Sequence, residues 1–153
     1  MIDPKQFRAH IVARVLQAIG LWSQAAENLL VGTAIAESML TFLVQTGGPA
    51  LGLYQIEPAT HRDVLTNFLA FRTDLYNKIK LLQSEYDLDQ QLIWNVGYAT
   101  AIARVLYYRH PDPLPDASDI DGLSNYYKSV YNTSLGAGSA DRWATMYRQY
   151  GSN

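Results

Sequence analysis

Apolar residues recur along the chain at the spacing of helix faces. The first apolar stripe consists of Phe7, Ile11, Val15 and Leu16. An aspartate and a proline stand directly before this stripe and a glycine follows it, which are the usual signals for the start and the end of a helix. The pattern predicts an N-terminal helix over about 4–19.

A second helical segment begins after Ser23, a residue type that commonly caps helices. Its middle, "LLVGTAIA", is apolar on every face, whereas a helix on the surface of a protein keeps one polar face. We therefore predict a central, buried helix. The segment runs into Glu37 and Ser38, where the apolar run ends.

Helical patterns continue through the rest of the chain. They cover 58–71, 72–86, 87–109, 119–132 and 139–150; the third is interrupted near 95–97, and a proline-rich loop follows it over 110–118. A turn is predicted at 46–49 and a short hairpin around 51–56. The sequence thus predicts a mostly α fold that forms a single domain over 1–153, with at most a short β hairpin.

Composition and charge exclude several classes of function. Apolar residues make up 48% of the chain and charged residues 17%, as in globular proteins. The net charge of −2 and the lack of a basic run argue against nucleic acid as a partner. The longest apolar stretch is too short for membrane insertion. Cysteine is absent and the three histidines are scattered, so we predict neither a metal site nor a cofactor.

Glu37 is the candidate for catalysis. A carboxyl group at the apolar end of a buried helix loses hydration, which disfavours its charged form and raises its pKa. A carboxyl that holds its proton near neutral pH can donate that proton to a leaving group, as a general acid must. The alternative is a solvated glutamate near a helix end, so the neighbouring residues decide between the two interpretations.

The stretch "GLYQI", residues 52–56, follows Glu37 by fifteen positions. Gly52 allows the backbone to approach a ligand closely, and Gln55 offers a donor and an acceptor, as polar sugar or amide groups require. Tyr54 is a candidate for stacking on a sugar face. Ser38 is expected either to hydrogen-bond a substrate or to position the loop.

These motifs resemble those of the lytic transglycosylases with a soluble-transglycosylase domain, relatives of goose-type lysozyme. In that family a Glu-Ser pair ends a buried helix and "GALGLMQIMPAT" follows; here Glu37-Ser38 is followed at the same spacing by "PALGLYQIEPAT". The family's "AYNAG" is echoed by "WNVG" at 94–97, and its "NYV"-like segment by "SNYYKSV" at 124–130. The resemblance covers about 32–130.

The resemblance implies a lysozyme-like fold and a role for each matching residue. It implies that Glu37 is the catalytic acid/base and that Tyr126 orients it, with Tyr127 as a close rival. Asn95 would contact the sugar near the reacting centre. The residues implied in substrate binding are Ser38, Gly52, Leu53, Tyr54, Gln55, Asn95 and Tyr126.

The number of carboxylates bears on the reaction. Hydrolysing glycosidases use two, about 5–5.5 Å apart when they retain configuration and about 6.5–9.5 Å apart when they invert it. Only Glu37 has a suitable setting; Glu57 and Asp63 are the nearest candidates for a second carboxylate. A transglycosylase needs one, and the resemblance to that family implies cleavage of the MurNAc–GlcNAc bond of peptidoglycan with formation of 1,6-anhydro-MurNAc. A hydrolytic muramidase remains an alternative.

The expected partners are the glycan strands of peptidoglycan and, in a second interpretation, other proteins of a bacteriophage particle. The first fifteen residues lack a secretory signal, so we expect delivery to the cell wall by lysis or in a virion. The segment 127–150 resembles the ends of small phage proteins of this type. The segment 39–44, "MLTFLV", departs from the family pattern and favours a third interpretation, a non-catalytic structural or adaptor protein of a phage particle.

Overall fold

The computed structural model describes residues 1–133 and 136–152. Residues 134, 135 and 153 belong to the domain predicted over 1–153 but lie outside the described part. The first two of them fall within the segment 127–150. Within the described ranges the chain is mostly helical and contains no strand, which confirms the predicted all-α class.

Nine α-helices follow one another in these ranges. They are α1 (Pro4–Phe7), α2 (Ala13–Ala18), α3 (Gln24–Ser38), α4 (Pro58–Asn67), α5 (Thr73–Lys80), α6 (Leu88–Trp94), α7 (Val96–Tyr108), α8 (Ile120–Tyr126) and α9 (Ala140–Met146). π-helical turns connect α1 to α2 (Arg8–Val12) and extend α8 (Tyr127–Asn132) and α9 (Tyr147–Gly151), and a 3₁₀ turn (Leu69–Phe71) follows α4. None of these helices is long and apolar enough to cross a membrane.

Helix α3 lies at the centre of the fold, as its apolar middle predicts. The Ser23 hydroxyl accepts a hydrogen bond from the Ala26 amide and caps the helix. Residues 26–35, which form the middle of the helix, are all buried. Gly32 contacts the indole of Trp143, and a Cβ at this position would overlap that ring. The glycine therefore allows α9 to pack directly on α3.

A buried ion pair joins the two ends of the described chain to α3. Arg8 donates to Glu27 Oε1 at 2.9 Å and to Asn28 Oδ1 at 2.8 Å. Its other terminal nitrogen donates to the Tyr147 hydroxyl at 3.0 Å and to the Gly151 carbonyl at 2.7 Å. Because Arg8 is the cation that pairs with the buried Glu27, removal of Arg8 would leave Glu27 buried without this counter-ion.

Two helices are shorter than predicted. The helix predicted over 58–71 ends at Asn67, because Phe68 leaves the helical conformation with φ −130° and ψ −64°. The helix predicted over 72–86 ends at Lys80. The side chain of Gln91 bonds the backbone of Ser84 and the carbonyl of Tyr86, and these bonds replace the helical partners of that segment. The interruption predicted near 95–97 is confirmed, since α7 begins at Val96.

The segment between α3 and α4 is a compact loop with two antiparallel bridges, Val44 to Leu51 and Leu51 to Ile56. It agrees with the prediction of at most a short hairpin. Met39, Leu40 and Gln55 adopt positive φ angles of 54°, 50° and 49°, a region that non-glycine residues rarely occupy. The loop turns sharply at both ends and lies over the last turn of α3.

Six aromatic rings form a continuous stack across the C-terminal half of the fold. Successive centroids lie 5.1–6.4 Å apart with interplanar angles of 7–30°. In order along this aromatic stack the rings are Tyr126, Tyr107, Tyr131, Tyr127, Trp143 and Tyr147. The stack joins α7, α8 with its π-helical extension, and α9.

Candidate active site

Glu37 lies in the last turn of α3, half-buried, on the wall of a cavity of about 610 Å³. The hydroxyl of Tyr127 donates a hydrogen bond to Glu37 Oε1 at 2.6 Å. Tyr127 begins the π-helical turn after α8, and its ring is held between Tyr131 and Trp143 in the aromatic stack. The phenol is therefore fixed in place before any ligand binds.

The surroundings of Glu37 act on its proton in opposite directions. Burial is the largest effect and raises the pKa of the carboxyl above its usual value. The hydrogen bond from Tyr127, the neighbouring side chain of Asn132 and the charge of Arg142 favour the carboxylate and offset part of that rise. The net result is a raised pKa, together with donors that also stabilise the anion. Such a group can release a proton and take it back.

The cavity is walled by three segments. The first, beyond α3, exposes the apolar side chains of Phe42 and Val44. The second, leading into α4, contributes Gln55 and Glu57. The third is the C-terminal part of the chain, with the following lining residues: Tyr127, Tyr131, Asn132, Thr133, Gly136, Ala137, Gly138, Ser139 and Arg142. Polar, charged and apolar side chains all contribute to the cavity wall.

Of the predicted site residues, Glu37 and Gln55 line this cavity together. Gln55 donates its side-chain amide to the Gly52 carbonyl at 2.9 Å. That bond holds the residue in its positive-φ conformation at the cavity wall. Two residues from separate parts of the sequence motif thus line the same cavity without having to contact each other.

Ser38, Leu53 and Tyr54, predicted to bind substrate, do not line the cavity; the contact of Ser38 agrees with its alternative role of positioning the loop. The Ser38 hydroxyl is buried and lies 2.7 Å from the Leu53 carbonyl, to which it donates. The Tyr54 side chain is fully buried, with its hydroxyl 3.1 Å from Thr100 Oγ1. Since neither ring face of Tyr54 meets solvent, it cannot stack on a sugar. These residues attach the loop to the core.

Gly52, predicted to bring backbone close to a ligand, does not line the cavity either. Gly52 has a φ of 76° and is buried, and its amide donates to the Leu43 carbonyl at 2.8 Å. A Cβ at this position would overlap the carbonyl oxygen of Leu92 in α6. The glycine is needed for close packing of the loop on α6, where backbone meets backbone.

Asn95 lies between α6 and α7 and is not among the residues that line the cavity. Its side-chain oxygen accepts the Tyr98 amide at 3.1 Å and caps α7, while its nitrogen donates to the Leu82 carbonyl at 2.7 Å and to Gln91. Every hydrogen-bonding atom of this side chain serves the helix junction, so the structure does not bring Asn95 together with Glu37 in this cavity.

Tyr127, the rival of Tyr126, is the tyrosine that contacts Glu37. Tyr126 donates instead to the Asp112 carbonyl at 2.9 Å and lines a different cavity. The two residues are adjacent, so their side chains leave the helix about 100° apart and only one can face α3. The prediction for Tyr126 was wrong for this reason.

Sequence reasoning missed Asn132 and Arg142. Asn132 follows Tyr127 and Tyr131 in one π-helical turn, so its spacing from them was a usable signal. Arg142 is an exposed residue in α9, and nothing in its sequence context marks it. Of the two further carboxylates considered, Glu57 lines the cavity, whereas Asp63 pairs with Arg109 at 2.7 Å and does not.

In the described ranges, no group of three or more acidic or histidine side chains is placed to hold a metal ion. Comparison of the chain with protein-family models, with curated proteins and with solved structures gives no significant match.

Proposed function

We propose that this protein is a lytic transglycosylase with a lysozyme-like helical fold, which cleaves the MurNAc–GlcNAc β-1,4 bond of peptidoglycan. The observation that carries the proposal is the carboxyl of Glu37, desolvated on a cavity wall and bonded by Tyr127 at 2.6 Å. The resemblance of the segments around Glu37 and Gln55 to that family supports it.

The proposed reaction uses one carboxyl twice. Protonated Glu37 donates its proton to the bridging oxygen, and the glycosidic bond breaks with positive charge developing at C1 of the muramic residue. The resulting carboxylate then accepts the proton of the C6 hydroxyl, whose oxygen closes onto C1. The product is a 1,6-anhydro sugar, and no water is consumed.

The surroundings of Glu37 suit both halves of this cycle. Burial favours the protonated acid at the start. Once the proton has left, the Tyr127 hydroxyl and the positive charge of Arg142 stabilise the carboxylate. The interactions of these two groups with the carboxylate weaken again when the proton returns to Glu37. The site thus contains what a single acid/base requires without a second carboxylate.

Mass analysis of the products released from purified peptidoglycan tests the proposal. The wild type should release anhydro-muropeptides, and Glu37→Gln should release none, since general acid–base catalysis contributes about 10²–10⁴-fold and one residue supplies it here. Ser38→Ala is a matched control next to Glu37, because the Ser38 hydroxyl bonds the carbonyls of Ala34 and Leu53 and does not line the cavity. Equal cleavage by wild type and Glu37→Gln would refute the proposal.

A hydrolytic muramidase is the second candidate, and the position of Glu57 favours it. Glu57 is exposed on the wall of the same cavity as Glu37, where it could activate a water. A hydrolase gives reducing ends instead of anhydro sugars and should lose activity in Glu57→Gln. Anhydro products with unchanged activity of Glu57→Gln would exclude it.

We also propose that the protein acts from a bacteriophage particle, on the resemblance of segment 127–150 to small phage proteins. The non-catalytic adaptor is supported by segment 39–44, where Phe42, Leu43 and Val44 are about half exposed at or beside the cavity rim. If neither wild type nor Glu37→Gln cleaves peptidoglycan while both melt normally, the adaptor role is favoured.

A further inference from the structure

A second cavity, of about 320 Å³, lies at the end of the aromatic stack formed by Tyr126 and Tyr107, whereas Glu37 contacts Tyr127. Its walls are the end of α7, the proline-rich loop 110–114 and Tyr126 of α8. The loop is attached at this point by the hydrogen bond from Tyr126 to the Asp112 carbonyl. The cavity is therefore a formed part of the fold.

Arg104 of α7 lines this cavity and is only 8% exposed. Its Nε donates to the Leu21 carbonyl at 3.1 Å. Among residues 1–133 and 136–152, no carboxylate lies within ion-pair distance of Arg104, and its two terminal nitrogens make no hydrogen bond. In the same ranges the one fully buried side-chain nitrogen without a partner is Trp143 Nε1. The terminal nitrogens of Arg104 must therefore reach the cavity surface.

A guanidinium that has lost most of its hydration without gaining a counter-ion is costly. Burial accordingly lowers the pKa of Arg104. The ring of Tyr108 lies 5.6 Å from Arg104 Cζ, a cation–π contact that supplies no counter-ion. The N–H groups in its plane keep their capacity to bind an anion.

The other walls narrow the choice of anion. Tyr108, Tyr126 and Leu114 provide aromatic and apolar surface beside the guanidinium. Asp112 contributes a negative charge at the rim, where its side chain is 77% exposed, and it opposes a dianion such as phosphate more than a monoanion. A planar carboxylate on a small apolar group meets both conditions, because it pairs with the guanidinium through two parallel hydrogen bonds.

We propose that this cavity is a binding site for the terminal carboxylate of a peptide, held by the free edge of Arg104 with its last side chain against Tyr108 and Leu114. The site is separate from Glu37 and does not depend on the function proposed there.

NMR titration of the full chain tests the proposal with N-acetyl-alanine, its amide, acetate and inorganic phosphate as probes. N-acetyl-alanine should shift the signals of Tyr108, His110 and Tyr126, and it should bind more tightly than acetate because of the apolar walls. The amide and phosphate should leave these signals unchanged. Glu37→Gln should bind N-acetyl-alanine as the wild type does.

Two variants separate recognition from folding. Arg104→Lys keeps the charge but loses the planar fork, and we expect binding to weaken about tenfold or more. Asp112→Asn changes an exposed side chain, leaves the carbonyl that Tyr126 bonds, and should tighten binding. Equal response to acid and amide, equal affinity for acetate, binding of phosphate in place of the acid, or no effect of Asp112→Asn would each overturn the proposal.

Discussion

Replacing Tyr127 with Phe isolates the hydrogen bond that positions Glu37. The variant keeps the ring in the aromatic stack between Tyr131 and Trp143 and removes only the hydroxyl that lies 2.6 Å from Glu37 Oε1. That bond favours the carboxylate, so its loss should raise the pKa of Glu37 further.

The magnitude follows from the charge on the acceptor. A hydrogen bond to a charged group is worth about 1.5–3 kcal/mol and one between neutral groups about 0.5–1.5 kcal/mol. The free energy of unfolding of Tyr127→Phe should therefore fall by about 1.5–3 kcal/mol at a pH where Glu37 is ionised. It should fall less at low pH, where the carboxyl is neutral. For a chain of this size each kcal/mol lowers Tm by about 2–4 °C.

The assay is a pH titration of the Glu37 carboxyl by carbon NMR, with thermal melts across the same pH range. Tyr126→Phe is the matched control, because its ring is in the same stack but its hydroxyl bonds the Asp112 carbonyl. The control should lose stability equally at every pH and leave the Glu37 titration unchanged. An unchanged or lowered Glu37 pKa in Tyr127→Phe, or an equal rise in Tyr126→Phe, would refute the reasoning.

Three further substitutions test the packing and charge around the site. Glu37→Gln should be more stable than wild type at neutral pH. Because the pKa of Glu37 is raised, the wild type loses stability as pH rises from the ordinary pKa of a glutamate through the raised one. The gain in Tm of the variant should therefore vanish on acidification, and a gain that grows at low pH would contradict this. Gly32→Ala should lower the free energy of unfolding by about 1–3 kcal/mol, since its Cβ overlaps the Trp143 indole; urea unfolding that matches wild type would show that α9 can shift freely. Gly52→Ala should cost at least about 1–3 kcal/mol, because it combines a positive φ with overlap of the Leu92 carbonyl, and an unchanged chemical-denaturation midpoint would contradict the packing role.

The helical class, the buried centre of α3 and the break before α7 could be predicted from sequence, because each depends on local patterning. The ends of α4 and α5 could not, since Phe68 leaves the helical conformation after α4 and side-chain bonds from Gln91 replace the helical partners of the segment after α5. The direction in which a side chain points sets another limit on prediction from sequence. Short polar motifs name residues such as Ser38 and Asn95 without showing whether their atoms face a ligand or the backbone, and here both face the backbone.

Within the site, Glu37 and Gln55 were predictable because a buried helix and a glycine-marked loop place them. The choice between Tyr126 and Tyr127 depended on the rotation of α8 about its axis. An error of one residue in that rotation exchanges the two side chains that can face Glu37. Arg142 could not be found, because its contribution is a charge acting through space from another helix. Long-range electrostatic neighbours of this kind have no period in sequence.

The aromatic stack also has a consequence for the timing of synthesis. Glu37 precedes its partner Tyr127 by 90 residues, and the Trp143 ring that supports Tyr127 is translated later still. A nascent chain on the ribosome therefore carries Glu37 as an ordinary, unbonded carboxyl for most of its elongation. Only when the segment bearing Trp143 has emerged and docked on Gly32 can the phenol be held against the acid. A shortened translation product that stops before Tyr127 lacks the bonded carboxyl.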